Sequence, residues 1–147
     1  MSLARRGQRG NAIIEFALSF GLFFAVFSGV FQFGYAFYLY NSLESAVRSG
    51  VRYASLRTYD SATATPSAAY LTAVQNMVVY GDPAGSGQSA APGLTPANVT
   101  LTVTMANNVP ALVAVGITNY TINGVMKSFT LTSKPKATFP YMGRFAP

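Results

Sequence analysis

The feature that most constrains this chain is the 25-residue run from Phe16 to Tyr40, which contains no ionisable side chain other than tyrosine. At ~1.5 Å per residue it makes a helix of roughly 37 Å, long enough to cross a hydrocarbon core of ~30 Å. A secretory signal has an apolar stretch of only about 7–15 residues, closely followed by a small-residue cleavage site. Here the nearest such site, Ala62-Thr63-Ala64, lies far beyond Tyr40. The run is therefore expected to be retained as an anchor. Tyr35, Tyr38 and Tyr40 gather at its far end, as an interfacial aromatic belt would.

Two details inside the run bear on packing. Ala17, Gly21, Ala25 and Gly29 recur every four residues and put small side chains on one helical face. Such a stripe lets another backbone approach closely in lipid, although apolar helices are rich in Gly and Ala in any case. Phe20, Phe23, Phe24, Phe27 and Phe31 cover the other faces.

Glu15 is the anomaly. It follows Asn11-Ala12-Ile13-Ile14 and directly precedes Phe16. A carboxylate at the lip of a membrane helix is costly unless it snorkels or finds a cation, and such residues are functional candidates. An interfacial Glu favoured by the helix macrodipole is the plainer reading. The neighbours bear on the choice, since Arg5, Arg6 and Arg9 lead up to Gly10, five positions before Glu15. A cut after Gly10 would give Asn11 a free amine one helical turn from the Glu15 carboxylate. Amine and carboxylate can pair within one chain, or between chains staggered by about a turn. The second arrangement selects register, because a misaligned neighbour leaves a buried charge unpaired.

The remainder of the chain excludes several classes of function. With 147 residues there is room for one compact domain plus an anchor. The absence of Cys and His rules out disulfides and Cys- or His-based metal sites. Three of the ten cations sit in the first ten residues and the others are scattered, so the net charge of +6 is not the clustered basic face of a nucleic-acid binder. The four acids, Glu15, Glu44, Asp60 and Asp82, form no catalytic set with the plentiful Ser and Thr. The Gly-rich Gly81–Gly87 stretch lacks the Lys-Ser/Thr end of a phosphate loop. No catalytic residue, metal, cofactor or small-molecule substrate is expected.

Past the run, Leu43, Val47, Val51 and Ala54 continue one helical face, with Glu44 and Arg48 as an i,i+4 pair. Gly50 interrupts that pattern at a cost of ~1 kcal/mol in helix propensity, which close packing would explain. Pro66 to Tyr80 reads as a second helix ended by Gly81, and 82–96 as a long, flexible loop. Val99, Leu101, Val103 and Met105 alternate with threonines as a half-buried strand. Leu112 to Ile122 makes a second stretch that shifts phase near Thr118. Asn123-Gly124 signals a two-residue turn into a third strand through Val125, Phe129 and Leu131. Pro135, Pro140 and Pro147 predict an irregular, wrapping tail. The expectation is an α+β chain in three parts: a basic leader over 1–10, a helix over 11–58 whose half 16–40 serves membrane and assembly, and a head over 59–147. That head carries one short helix and about three antiparallel strands, packed on the C-terminal part of the long helix.

A short basic leader ending in Gly, four residues, Glu-Phe and a long apolar helix resemble the type IV pilin and pseudopilin processing signature. In detail, Gly7-Gln8-Arg9-Gly10-Asn11-Ala12-Ile13-Ile14-Glu15-Phe16-Ala17-Leu18 looks like the TadE/TadF branch, the pilin-like proteins of tight-adherence (Flp-type) secretion systems. Gln32-Phe33-Gly34-Tyr35-Ala36-Phe37-Tyr38 and Ala46-Val47-Arg48-Ser49-Gly50-Val51-Arg52-Tyr53-Ala54 fit the same pattern, so the likeness spans about the first 55 residues. Asn11 departs from it, since many pilins carry Phe or Met there. The resemblance implies cleavage between Gly10 and Asn11 by a prepilin peptidase and single-pass insertion, N-terminus inside, in a bacterial inner membrane. It further implies extraction through an inner-membrane assembly platform into an extracellular pilus or periplasmic pseudopilus. Expected partners are other pilin-like subunits, with the lipid bilayer as the partner before assembly. Glu15 and Asn11 would pair charges, and Phe16, Ala17, Gly21, Ala25 and Gly29 would pack helices. A minor pilin is the expected role; a major filament subunit and an unprocessed single-pass envelope anchor are the alternatives.

Overall fold

The computed structural model describes residues 6–124 and 127–147. Five residues of the expected leader, Met1–Arg5, lie outside the described residues, as does Val125 of the expected third strand. One helix dominates: α1 runs unbroken from Arg6 to Leu56, 51 residues or about 77 Å at ~1.5 Å each. It passes through Gly10 and Asn11 without interruption and continues into the leader region.

The two halves of α1 differ in what surrounds them. In the C-terminal half Leu39, Leu43, Val47, Val51 and Ala54 are buried, the stripe that the 3–4 spacing predicts. They meet α2 (Ala68–Tyr80) and the sheet in one core with Val74, Val78, Val103, Val113 and Val115. Ser67 caps α2, its hydroxyl oxygen accepting from the Tyr70 N–H at 3.1 Å, and Gly81 ends it in the left-handed region at φ 69°. Pro66 thus precedes the cap and lies outside the helix. The 82–96 loop is tied down where Ala91 and Leu94 insert into the core and Ala90 N–H donates to Val79 O at 2.8 Å.

After a 3-10 turn at Pro96–Asn98 come β1 (Val99–Ala106) and β2 (Val109–Ile117), antiparallel, with Ala106 opposite Val109. Their two-residue turn is Asn107-Asn108, both at positive φ (51° and 60°), the left-handed pair that matches strand twist. The phase shift near Thr118 marks a change of sheet: Asn119, at φ 53°, turns the chain out of β2 into β3 (Tyr120–Ile122). β3 pairs with β4 (Phe129–Leu131) in a separate two-stranded sheet, with Ile122 opposite Phe129. The expected tight turn at Asn123-Gly124 is therefore corrected to a six-residue connection. That connection is held against α1, and it leaves no room for a Cβ at Gly124.

The third strand of the main sheet is β5 (Lys136–Pro140), paired antiparallel with β2 to give the order β1-β2-β5. The fold is α+β, as expected, with a three-stranded antiparallel sheet, but its third strand comes from the proline-bracketed tail. An edge strand tolerates this, because its outer N–H groups need no partner. The tail then laces the head shut. Met142 N–H donates to Ser55 O and Ala146 N–H to Tyr59 O, each at 2.9 Å, around a ring cluster of Tyr59, Tyr70, Tyr141 and Phe145.

Candidate functional site

The N-terminal half of α1 is the opposite of a folded core. Every residue from Gly10 to Phe27 is exposed, including Phe16, Phe20, Leu22, Phe23 and Phe24. The phenylalanines touch chiefly one another. Phe16–Phe20–Phe24 stack in successive turns with ring centroids 5.9 and 6.4 Å apart, and Phe23–Phe27 at 6.3 Å. This ladder of i,i+4 rings sits about 100° around the helix from Ala17, Gly21, Ala25 and Gly29. A Cβ added at Gly10, Gly21 or Gly29 would meet nothing within 4 Å. From Ala17 to Ala25 the small stripe is thus a smooth, uncovered track, while Gly29 at its upper end is half-buried and faces the head.

Glu15 sits at the foot of this surface. Its side chain is exposed, and no ion pair or hydrogen bond to it is formed among the described residues. Glu44 contrasts with it, taking a 2.6 Å ion pair from Arg48 one turn on. Asn11 and Glu15 lie four apart on one continuous helix and so share a face. The structure brings Gly10, Asn11, Glu15 and Phe16 together within two turns and sets the packing stripe directly above them. Among the described residues nothing from the head covers that part of α1.

Among the described residues the first hydrogen bond from α1 to the head falls at Gln32, inside the 16–40 stretch. Gln32 is only 8% exposed and its amide donates to Lys127 O at 2.9 Å, fastening the β3–β4 connection to the helix. Around it, Gly29, Phe33, Ala36 and Phe37 of α1 face Ile122 and Phe129 across an apolar groove of ≈ 510 Å³. The sequence reading did not single out Gln32 as a contact; the signal available was an amide standing in an otherwise greasy run.

Among the described residues this helix is the one long and apolar enough to cross a membrane. Residues 10–52 match the family model described as TadE-like protein. Over that stretch the chain is similar to the TadE-like family. The match spans the exposed half of α1, Glu15, the Gln32 fastening and the buried stripe as far as Arg52, and stops short of the head sheet. Among curated proteins and solved structures, none matches the chain.

Proposed function

We propose that this protein is a structural, non-enzymatic subunit of a Tad-type pilus or pseudopilus, acting as a minor pilin. The observation that carries the reading is the coincidence of the TadE-like match with an unbroken apolar surface holding one carboxylate. Before assembly that surface lies in the bacterial inner membrane, N-terminus inside, with the head exported. Cleavage between Gly10 and Asn11 by a prepilin peptidase then supplies the amine. In the assembled state the Asn11 amine of one subunit meets Glu15 of a neighbour, while the Ala17-Gly21-Ala25-Gly29 track admits the neighbour's helix.

Magnitudes divide the labour. A carboxylate near the middle of a membrane helix costs about 2.5–3.5 kcal/mol, and less near its end, so Glu15 does not prevent insertion. Breaking a buried pair by removing one partner costs about 3–5 kcal/mol, enough to reject a misregistered subunit.

The test is N-terminal sequencing of the membrane and extracellular fractions, with Glu15→Ala and Gly10→Ala variants. The expected result is a chain beginning at Asn11. Glu15→Ala should be cut and inserted normally yet be incorporated at least tenfold less, and Gly10→Ala should remain uncut. A mature chain beginning at Met1, or normal incorporation of Glu15→Ala at neutral pH, refutes the reading. Scarcity of the chain in the bulk mass of purified filaments distinguishes a minor from a major subunit.

A further inference from the structure

We propose that the β3–β4 hairpin is a foot set in the outer interface of the phospholipid bilayer through Lys127 and Phe129, with lipid chains filling the groove between it and α1. The inference rests on the membrane-inserted reading above and adds a second contact with lipid, made by the head.

The argument is one of height along a single straight helix. Taking the last acid before the run, Glu15, as the inner boundary, ~30 Å of hydrocarbon at ~1.5 Å per residue extends from Phe16 to about Tyr35. Tilt moves that outer boundary further along the helix, never back. The hairpin connection is fastened at Gln32, three residues short of Tyr35, by the bond from the Gln32 amide to Lys127 O. The head therefore cannot stand clear of the bilayer; its lowest element already lies at the boundary or just beneath it.

The surfaces at that height fit such a position. Phe129 is 43% exposed at the base of β4 and Phe33, Phe37 and Tyr38 are exposed on the facing helix, a collar of aromatic side chains. The groove between them is apolar and open, and it runs about three turns, from Gly29 to Tyr40. At the height argued above the surroundings of this open groove are lipid, and flexible acyl chains conform to its irregular apolar walls. Charge agrees as well. From Pro83 to Pro147 the chain holds no acid, while Lys127, Lys134, Lys136 and Arg144 are cationic. Lys127 is exposed beside Gln32, and its long side chain can snorkel up to anionic headgroups just above the boundary.

The chain has no Trp, so one substitution gives one emitter. Full-length Phe24→Trp, Phe129→Trp and Met142→Trp proteins are reconstituted in vesicles of phosphatidylcholine and phosphatidylglycerol, three to one. Emission is quenched either by bromines placed high or low in the acyl chain, or by aqueous iodide. Met142 neighbours Ser55, 23 residues above Gln32, and serves as the water-side reference. The expected result is that Phe24→Trp responds to deep bromines and Met142→Trp to iodide alone. Phe129→Trp should lose about half its emission to shallow bromines and be shielded from iodide. If Phe24→Trp is deep but Phe129→Trp responds to iodide like Met142→Trp, the foot is overturned while the membrane reading stands. Protection of Phe129→Trp from both quenchers means that protein covers the groove, and also overturns it. A Phe24→Trp open to iodide overturns the membrane reading and this inference with it.

Discussion

Gly50 lies within residues 10–52, the stretch that the TadE-like family model matches, and the structure supplies its reason. It is buried on α1 where α2 crosses, and a Cβ there would collide with Val78 Cγ2, with Val78 Cβ and Cα also at 3.5 and 3.7 Å. Val78 cannot swing away: it is itself 1% exposed, and a β-branched side chain in a helix has one strongly preferred rotamer. Gly50→Ala therefore sets two effects against each other. Helix propensity gains about 1 kcal/mol, while overpacking a filled core costs about 1–3 kcal/mol. Because the obstructing atom is a branched methyl on a packed helix, the upper part of that range applies and the net change is a loss of about 1–2 kcal/mol. Val78→Ala alone opens a hole and costs about 2 kcal/mol. In the double variant the new methyl occupies part of that hole, so its cost is smaller than the sum of the two single ones by at least about 1 kcal/mol. Urea unfolding of the detergent-solubilised chain, followed by near-ultraviolet circular dichroism of the buried tyrosines, reads all four corners of this cycle. A Gly50→Ala protein more stable than the parent, or strict additivity, refutes the close-approach explanation.

The other predictions concern the head and its edges. Burial raises the pKa of Tyr59, Tyr70, Tyr120 and Tyr141 above the ordinary value of 10.0. The unfolded chain thus releases these protons before the folded one does. Their contribution to head stability should be constant from neutral pH to about pH 9 and fall as pH climbs past 10. Tyrosinate absorbance during alkaline unfolding measures this, and Tyr70→Phe, which removes the hydroxyl donating to Ala54 O, should flatten the dependence. At the β1–β2 turn, Asn108→Gly should alter stability by only a few tenths of a kcal/mol, whereas Asn108→Val should cost about 1–2 kcal/mol, read as a thermal shift.

What was legible follows from where the information is local. The stripe Leu43-Val47-Val51-Ala54 announces its face because a helix repeats every 3.6 residues, and Ser67 and Gly81 mark the ends of α2 through caps that involve only near neighbours. Sheet order is not local. Asn123-Gly124 is the stronger turn signal, yet the tight turn is Asn107-Asn108. There Ala106 and Val109 close the ladder directly, whereas Gly124 is spent on close approach to Gln32. Lys136–Pro140 reads as a tail because its prolines argue against a central strand; at a sheet edge that objection disappears. Glu15 stood out in the sequence, and none of the described residues pairs with it; on the proposed reading its counterpart is the amine of another copy.

The balance of free energies explains why one chain carries two such different halves. Twelve large apolar side chains from Ile13 to Phe31 stand exposed. At about 1.5–3 kcal/mol each, covering them is worth roughly 20–35 kcal/mol, more than the ~5–15 kcal/mol that holds a whole domain folded. Water is thus the one surrounding this helix cannot occupy, while lipid and a bundle of like helices both satisfy it. Apolar burial drives the subunit out of water but, being non-directional, does not choose between those two homes or fix a register. A term that distinguishes them has to be directional, and the exposed half offers one such group. Glu15 gains nothing from a hydrocarbon neighbour and a great deal from a correctly placed amine. On the proposed reading the carboxylate therefore contributes little to leaving water and much to deciding where, and at what stagger, the helix comes to rest.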